Sequence, residues 1–159
     1  MPGKFDRLDI KLLDCLQEDN LQTADQLAEQ VGRSASAVAR RLRRLRTGGA
    51  VAADVSLVSE EAAGHPLSAV IHIQLDRHAP QAGDQLRRRL VASSNVQLCL
   101  DISGAFDILL LVVASDMDSF NAFADTLLGE HPAVRRFETS FVKKRVKATL
   151  ALPLEELRS

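Results

Sequence analysis

Three observations predict an α+β chain, with an N-terminal helix-turn-helix (winged-helix-like) domain ahead of a C-terminal ferredoxin-like βαββαβ domain. The first fifty residues place their apolar side chains at helical spacing, punctuated by turn residues. The remainder alternates β-branched runs with two amphipathic helical patterns in the order β-α-β-β-α-β. The charge is also unevenly divided between the two parts. A length of 159 residues suits one ordinary domain or two small ones, and 46% hydrophobic residues is enough for packed cores. The expected boundaries are 1–50 for the helical domain, 51–66 for a connecting strand and linker, and 67–159 for the second domain.

In the first helix Phe5, Leu8, Leu12, Cys15 and Leu16 share one face, with Leu13 beside them. Asp6 and Asp9 sit early, where the helix dipole favours acids, and the helix should stop near Asn20. Cys15 reads as a small core residue rather than a reactive thiol. Thr23 followed by Gln26 predicts a capping box for a second helix with an apolar stripe of Leu27, Ala28 and Val31. Gly32 supplies a turn, Ser34 or Ser36 caps a third helix, and Gly48-Gly49 ends it after Thr47.

The formal net charge is −1, but residues 1–50 hold nine basic and seven acidic residues while 51–159 hold eleven and fourteen. Between Arg33 and Arg46 stand six arginines and no acid. A solvated helix face is the plain reading of such a cluster. The helical wheel favours another one. Val38, Leu42 and Leu45 form the buried stripe, and at about 100° per residue Ser36, Arg40 and Arg43 point away from it. Small residues near the helix N-terminus allow close approach to a major groove, and the planar arginines suit phosphate and guanine. Double-stranded DNA is therefore the expected partner. Ser36 and Arg40 are assigned to base edges, and Ser34, Arg41, Arg43 and Arg44 to phosphates, with capping an equal alternative for the two serines.

Val51 to Ser59 alternates as a connecting strand should, and Glu60 to Pro66 is a polar linker. Leu67 to Leu75 is a strand, and Pro80 opens a helix that buries Leu86 and Leu90 and carries Arg87-Arg88-Arg89 on a solvated face. Val96, Leu98, Leu100 and Ile102 alternate as a second strand, and Asp107 to Ala114 is a continuous apolar one. Asp116 caps a helix with the stripe Phe120, Phe123, Ala124, Leu127 and Leu128, which stops at His131-Pro132. Thr139 to Leu150 is the last strand. This order predicts a four-stranded antiparallel sheet with both helices on one face. Yet both parities of Ile108 to Val113 are apolar, so the other face also needs cover, and a second copy of the same sheet would supply it as an isologous homodimer.

The turn Ser103-Gly104-Ala105-Phe106-Asp107 has two readings. One is a plain hairpin with an aspartate at its edge. In the other, backbone N–H groups beside Gly104 hold a carboxylate and Asp107 accepts an ammonium group, which together suit an amino-acid zwitterion.

Other classes find little support. The longest apolar run, Ile108 to Ala114, is far short of a membrane span, and the charged N-terminus does not read as a signal peptide. Cys15 and Cys99 form no disulfide framework, which points to a cytoplasmic protein. His65, His72, His78 and His131 are dispersed without metal-ligand spacing. No nucleophile–base pattern or phosphate-cradling glycine loop is present, so neither catalytic residues nor a cofactor are assigned. An RNA-binding sheet would need stacking rings, but there is no Trp or Tyr and the middle strands carry Leu and Val.

Taken in order, Phe5-Asp6-Arg7-Leu8-Asp9, Gln26-Leu27-Ala28, Val31-Gly32, Ser34, Arg41-Leu42-Arg43-Arg44-Leu45, Gly49, Ser103-Gly104-Ala105-Phe106-Asp107 and Val134-Arg135 through Thr139 resemble the Lrp/AsnC (leucine-responsive regulatory protein) family of prokaryotic transcriptional regulators. The resemblance implies a DNA-binding regulator whose C-terminal domain dimerises and binds a small-molecule effector, commonly an amino acid, with assembly as dimers, tetramers or octamers. It implies an effector site between subunits near the Gly-x-x-Asp loop, carried here by Ser103, Gly104 and Asp107, with Thr139 from the last strand. Leu21, Arg33, Phe106 and Phe137 depart from the family's usual residues, and Phe106 lacks the hydroxyl of the frequent Tyr. Sirohaem decarboxylases resemble these regulators in fold and furnish an enzyme alternative. An oligomeric small-molecule sensor that does not bind DNA is another.

Overall fold

The computed structural model describes residues 5–64, 67–76 and 80–154. The expectations for His65, Pro66, His78 and the last five residues of the second domain lie outside them. The chain forms two compact units. One contains the chain up to Ser56 together with the segment from Lys147, and the other is Leu57–Val146.

The first unit is built on α1 (Arg7–Glu18), α2 (Ala24–Val31) and α3 (Ala35–Thr47). Each start has a local cause. Asp6 caps α1, accepting from the Asp9 N–H at 2.8 Å, and the Asp9 side chain accepts in return from the Asp6 N–H. Thr23 and Gln26 form the expected capping box on α2. Gly32 ends α2 in the left-handed region at φ 63°, a conformation glycine adopts without the Cβ penalty. Ser34, rather than Ser36, caps α3. Leu12, Leu27 and Val38 are wholly buried in the shared core, and Cys15 packs at its edge, where burial pushes its thiol pKa up.

Non-local ion pairs add to this packing. Asp9 is buried, and its two oxygens accept from Arg41 Nη1 at 2.8 Å and Arg44 Nη2 at 2.5 Å. Asp6 accepts from the same Arg41 nitrogen at 2.5 Å. The residues that start α1 thereby also hold two turns of α3. The C-terminal segment is tied to this unit as well. The Gln17 side chain donates to the Leu152 carbonyl and accepts from the Leu152 N–H, and Leu154 packs on the core.

The second unit contains β1 (Leu67–Leu75), α4 (Pro80–Ala92), β2 (Val96–Asp101), β3 (Ile108–Ala114), α5 (Met117–Ala124), a π-helical turn (Asp125–Gly129) and β4 (Val134–Phe141). The sheet order is β2-β3-β1-β4, all antiparallel, as the ferredoxin-like reading requires. Ala69, Ile71 and Ile73 of β1, with Ile108, Leu110 and Val112 of β3, pack against Leu86 and Leu90 of α4 and Phe120 and Phe123 of α5. Residues of the other parity face away from both helices. They include Val70, Leu109 and Leu111, together with Leu98 and Leu100, which are exposed.

Two expected strands differ. Residues 52–59 form no strand, and Val55, Leu57 and Val58 are exposed. Alternation gives a segment two distinct faces but does not supply a partner for its ladder. The last strand runs over Val134–Phe141 rather than Thr139 to Leu150. Its partner β1 sets this limit. Ala69 pairs with Phe141, the Val142 N–H reaches the Ser68 carbonyl, and β1 begins one residue earlier at Leu67. Val146 and Leu150 are consequently exposed. Glu60, the buried Ser68 and Arg145 are joined by hydrogen bonds and an ion pair, which holds the entering and leaving chain at this end of β1.

The Asp9 N–H, and after it the Arg41 guanidinium, hold the Asp6 carboxyl below its ordinary 3.8. A depressed folded-state value means that the contribution is complete above the unfolded value and lost as pH falls through the folded one. The stability difference between wild type and Asp6→Asn should therefore narrow on acidification from about pH 5, the wild type being the more stable at neutral pH. Urea midpoints read by helical circular dichroism check this, and a pH-independent difference would contradict it.

Candidate nucleic-acid interface and effector loop

Helix α3 stands on Val38, Leu42 and Leu45, so its opposite face is solvent-exposed. Ser36, Arg40 and Arg43 lie on that exposed face, and Ser34 is exposed at its start. The Ser34 hydroxyl accepts from the Ala37 N–H and lies 3.4 Å from the Ser36 hydroxyl. Capping by Ser34 leaves Ser36 free of the helix's own needs.

The six arginines fall into two sets. Arg41 and Arg44 are held by Asp6 and Asp9, and Arg46 is held by Asp54 at 2.8 Å and by Asn20. Arg33 bonds a neighbouring carbonyl. Among the described residues, Arg33, Arg40 and Arg43 have no carboxylate partner. The partners of Arg41 and Arg44 escaped the sequence reading, which placed Asp6 and Asp9 as dipole-favoured acids. The missing signal was non-local, since Asp9 and Arg44 are 35 residues apart.

The second candidate site is the β2–β3 turn. Gly104 has φ 135°, a conformation open to glycine and strained for other residues, and it lies exposed beside Ser103. Asp107 fastens the turn to the sheet. Its N–H donates to the Ile73 carbonyl, its carbonyl accepts from the Ile102 N–H, and its Oδ2 accepts from the Leu75 N–H at 2.7 Å. The hairpin role is thus real, and it occupies one carboxylate oxygen. Phe106 lies with its ring centroid 5.3 Å from that of His72, and the Arg136 guanidinium sits 5.2 Å from the Phe106 centroid. Arg136 and Phe106 were not singled out together by sequence, because the register that joins β4 to this corner is a tertiary feature.

Thr139 is placed elsewhere. It pairs with Ile71 on β1, so a whole strand separates it from β3, into which the turn leads. Ser103, Gly104 and Asp107 are brought together within one chain, and Thr139 is not joined to them. His131 uses Nδ1 to accept from the Ala133 N–H in the turn before β4, and burial lowers its pKa. No helix among the described residues is long and apolar enough to cross a membrane.

Comparison with known proteins matches both units. The AsnC-type helix-turn-helix domain model matches residues 5–46, and the Lrp/AsnC ligand binding domain model matches residues 68–152. An uncharacterized HTH-type transcriptional regulator from Sinorhizobium fredii is 36% identical over 152 residues, covering 96% of this chain and 90% of that one. The Bkd operon transcriptional regulator of Pseudomonas aeruginosa is 30% identical over 155 residues, covering 96% and 99%. A transcriptional regulator from Neisseria meningitidis, solved as a complex with L-Met, superimposes with a TM-score of 0.91 at 33% identity, covering 96% of this chain and 99% of that one. With both models matched in order, and with relatives that are themselves transcriptional regulators, the chain belongs to the Lrp/AsnC family of helix-turn-helix regulators.

Proposed function

We propose that this regulator reads duplex DNA sequence-specifically with α3, works as a homodimer joined through the open face of its sheet, and answers to an amino acid or related small molecule bound at the Ser103–Asp107 turn. The observation that carries the DNA reading is the exposed face of α3, where Ser36, Arg40 and Arg43 stand opposite the buried stripe, with no carboxylate among the described residues bound to either arginine. Ser36 and Arg40 are assigned to base edges, and Ser34 and Arg43 to phosphates. Arg41 and Arg44 are left out of this interface because their guanidiniums are engaged by Asp6 and Asp9.

The dimer rests on the apolar residues that the helices leave uncovered, chiefly Leu98, Leu100, Leu109 and Leu111. A same-sheet partner covers such a face isologously, and two copies of α3 on one symmetric body suit a palindromic site. The L-Met bound by the Neisseria meningitidis relative supports an amino acid as the effector class.

Duplex DNA affinity should fall linearly in log–log form with salt, Arg43→Gln should flatten that slope by about one per subunit, and Arg40→Gln should relax base discrimination at its position. Fluorescence anisotropy across a salt series on matched and mismatched duplexes measures both, and variants that change neither would remove α3 from the interface. Sedimentation at micromolar concentration should give a dimer or larger species, and Leu109→Lys should shift it toward monomer; a monomeric wild type would refute the sheet interface. A thermal-shift screen of the amino acids should find at least one that raises the melting temperature, because a ligand of the native state stabilises by mass action. Gly104→Val should abolish that shift while leaving the oligomer intact, whereas a shift preserved in this variant would move the effector away from the turn.

A further inference from the structure

The acids at the start of α1 hold two guanidiniums of α3. Asp9 has a side chain only 3% exposed, and it engages one guanidinium on each oxygen, Arg41 and Arg44. Asp6 takes the same Arg41 nitrogen. Two carboxylates and two guanidiniums thus form a neutral set at the foot of α3, and Asp54 neutralises Arg46 in the same way. A carboxylate presents two oxygens to a guanidinium fork much as a phosphate does, so the two anions compete for the same donors. The competition is uneven. A phosphate that drew Arg44 away would leave a buried carboxylate short of a partner, and an unpaired buried charge is strongly disfavoured.

We propose that Asp9, assisted by Asp6, is a specificity-determining residue of this regulator: it withholds Arg41 and Arg44 from the DNA backbone and so restrains sequence-independent binding without touching the base-reading face. The inference rests on α3 being the DNA-reading helix. Backbone contacts supply nearly all of non-specific affinity, whereas base contacts supply the discrimination. With the acids in place α3 and its preceding turn offer three arginines without carboxylate partners, Arg33, Arg40 and Arg43, instead of six. Releasing two guanidiniums per subunit steepens the log–log salt slope by up to about two, which over a fourfold change in salt is about tenfold in affinity. Specific binding also gains from the release, but a wrong sequence becomes tolerable over a wider salt range, and the ratio of specific to non-specific affinity falls once Arg41 and Arg44 compete for off-register phosphates.

The test compares salt slopes on a mixed-sequence duplex for the full chain and four variants, each verified as folded by circular dichroism. Asp9→Asn is expected to steepen the slope by about one to two per subunit and to tighten non-specific binding at low salt. Asp6→Asn, at a half-exposed position that tolerates change better, is expected to steepen it by less than one. Arg44→Gln is expected to leave the slope at the wild-type value, while Arg43→Gln flattens it. A folded Asp9→Asn with an unaltered slope overturns the proposal. So does an Arg44→Gln that flattens the slope as Arg43→Gln does, and this second comparison decides the matter even if Asp9→Asn fails to fold. If Arg43→Gln leaves the slope unchanged, the assignment of α3 to DNA fails instead, which is a different result. A merely structural role for Asp9 would lower the folded fraction and leave the slope of the folded protein as it was.

Discussion

The arrangement of the helical unit depends on one buried carboxylate. Asp9 lies under α3 with almost no solvent access, and its cost of burial is met by two arginines and by the N–H of Asp6. Removing one partner from such a set leaves the buried carboxylate less fully paired and destabilises the unit. The set also carries directional information. A hydrophobic stripe of Val38, Leu42 and Leu45 tolerates some rotation of α3 about its own axis, whereas guanidiniums fastened to Asp9 on two successive turns do not. The face presented by Ser36, Arg40 and Arg43 is thereby pinned by contacts made on the other side of the helix.

The second unit is governed by a different constraint. A four-stranded sheet has two faces, and α4 and α5 cover one. Ala69, Ile71 and Ile73 of β1 and Ile108, Leu110 and Val112 of β3 lie in a single core with those helices, which leaves Leu98, Leu100, Leu109 and Leu111 on the side without helices. The face is partly shielded at one end, where Glu60, Arg145 and buried Ser68 gather the entering and leaving chain, and at the other, where Phe106 lies beside His72. What is left open is its apolar middle. Shielded ends around an apolar centre fit a partner of limited size and two-fold symmetry better than an open-ended stack of sheets.

The sequence was most legible where structure is local. Thr23 and Gln26, three residues apart, specify a helix start through their own hydrogen bonds. Gly32 marks a left-handed residue because other side chains are penalised there, and Phe120, Phe123, Ala124 and Leu128 declare a buried face by spacing alone. Legibility failed where the outcome depends on a partner far along the chain. Residues 143–150 alternate like a strand, but β4 ends at Phe141 opposite Ala69, close to the start of β1, and residues 52–59 alternate as well and form no strand. The Asp9–Arg44 contact spans 35 residues, and the strand that separates Thr139 from the turn follows from sheet order. None of these leaves a periodic trace. The resemblance to a family located the turn, the helix and their order, and it carried no information on which arginines were already engaged.

The net charge of −1 divides into a basic first part and an acidic second. The structure moves the balance to a finer scale, since acid and arginine cancel inside the helical unit itself. Long-range attraction depends on net charge over a Debye length of about 8–10 Å, and at that scale Arg41, Arg44 and Arg46 are silent. The three arginines left form a small field that decays quickly with distance, so each subunit alone holds DNA weakly. In the proposed dimer two such fields would act together because the second contact is intramolecular. Weak single units and a strong pair discriminate between a half-site and a palindrome, and adding charge to each unit would erode that difference. The acids at the start of α1 therefore do for specificity what a larger arginine patch would undo.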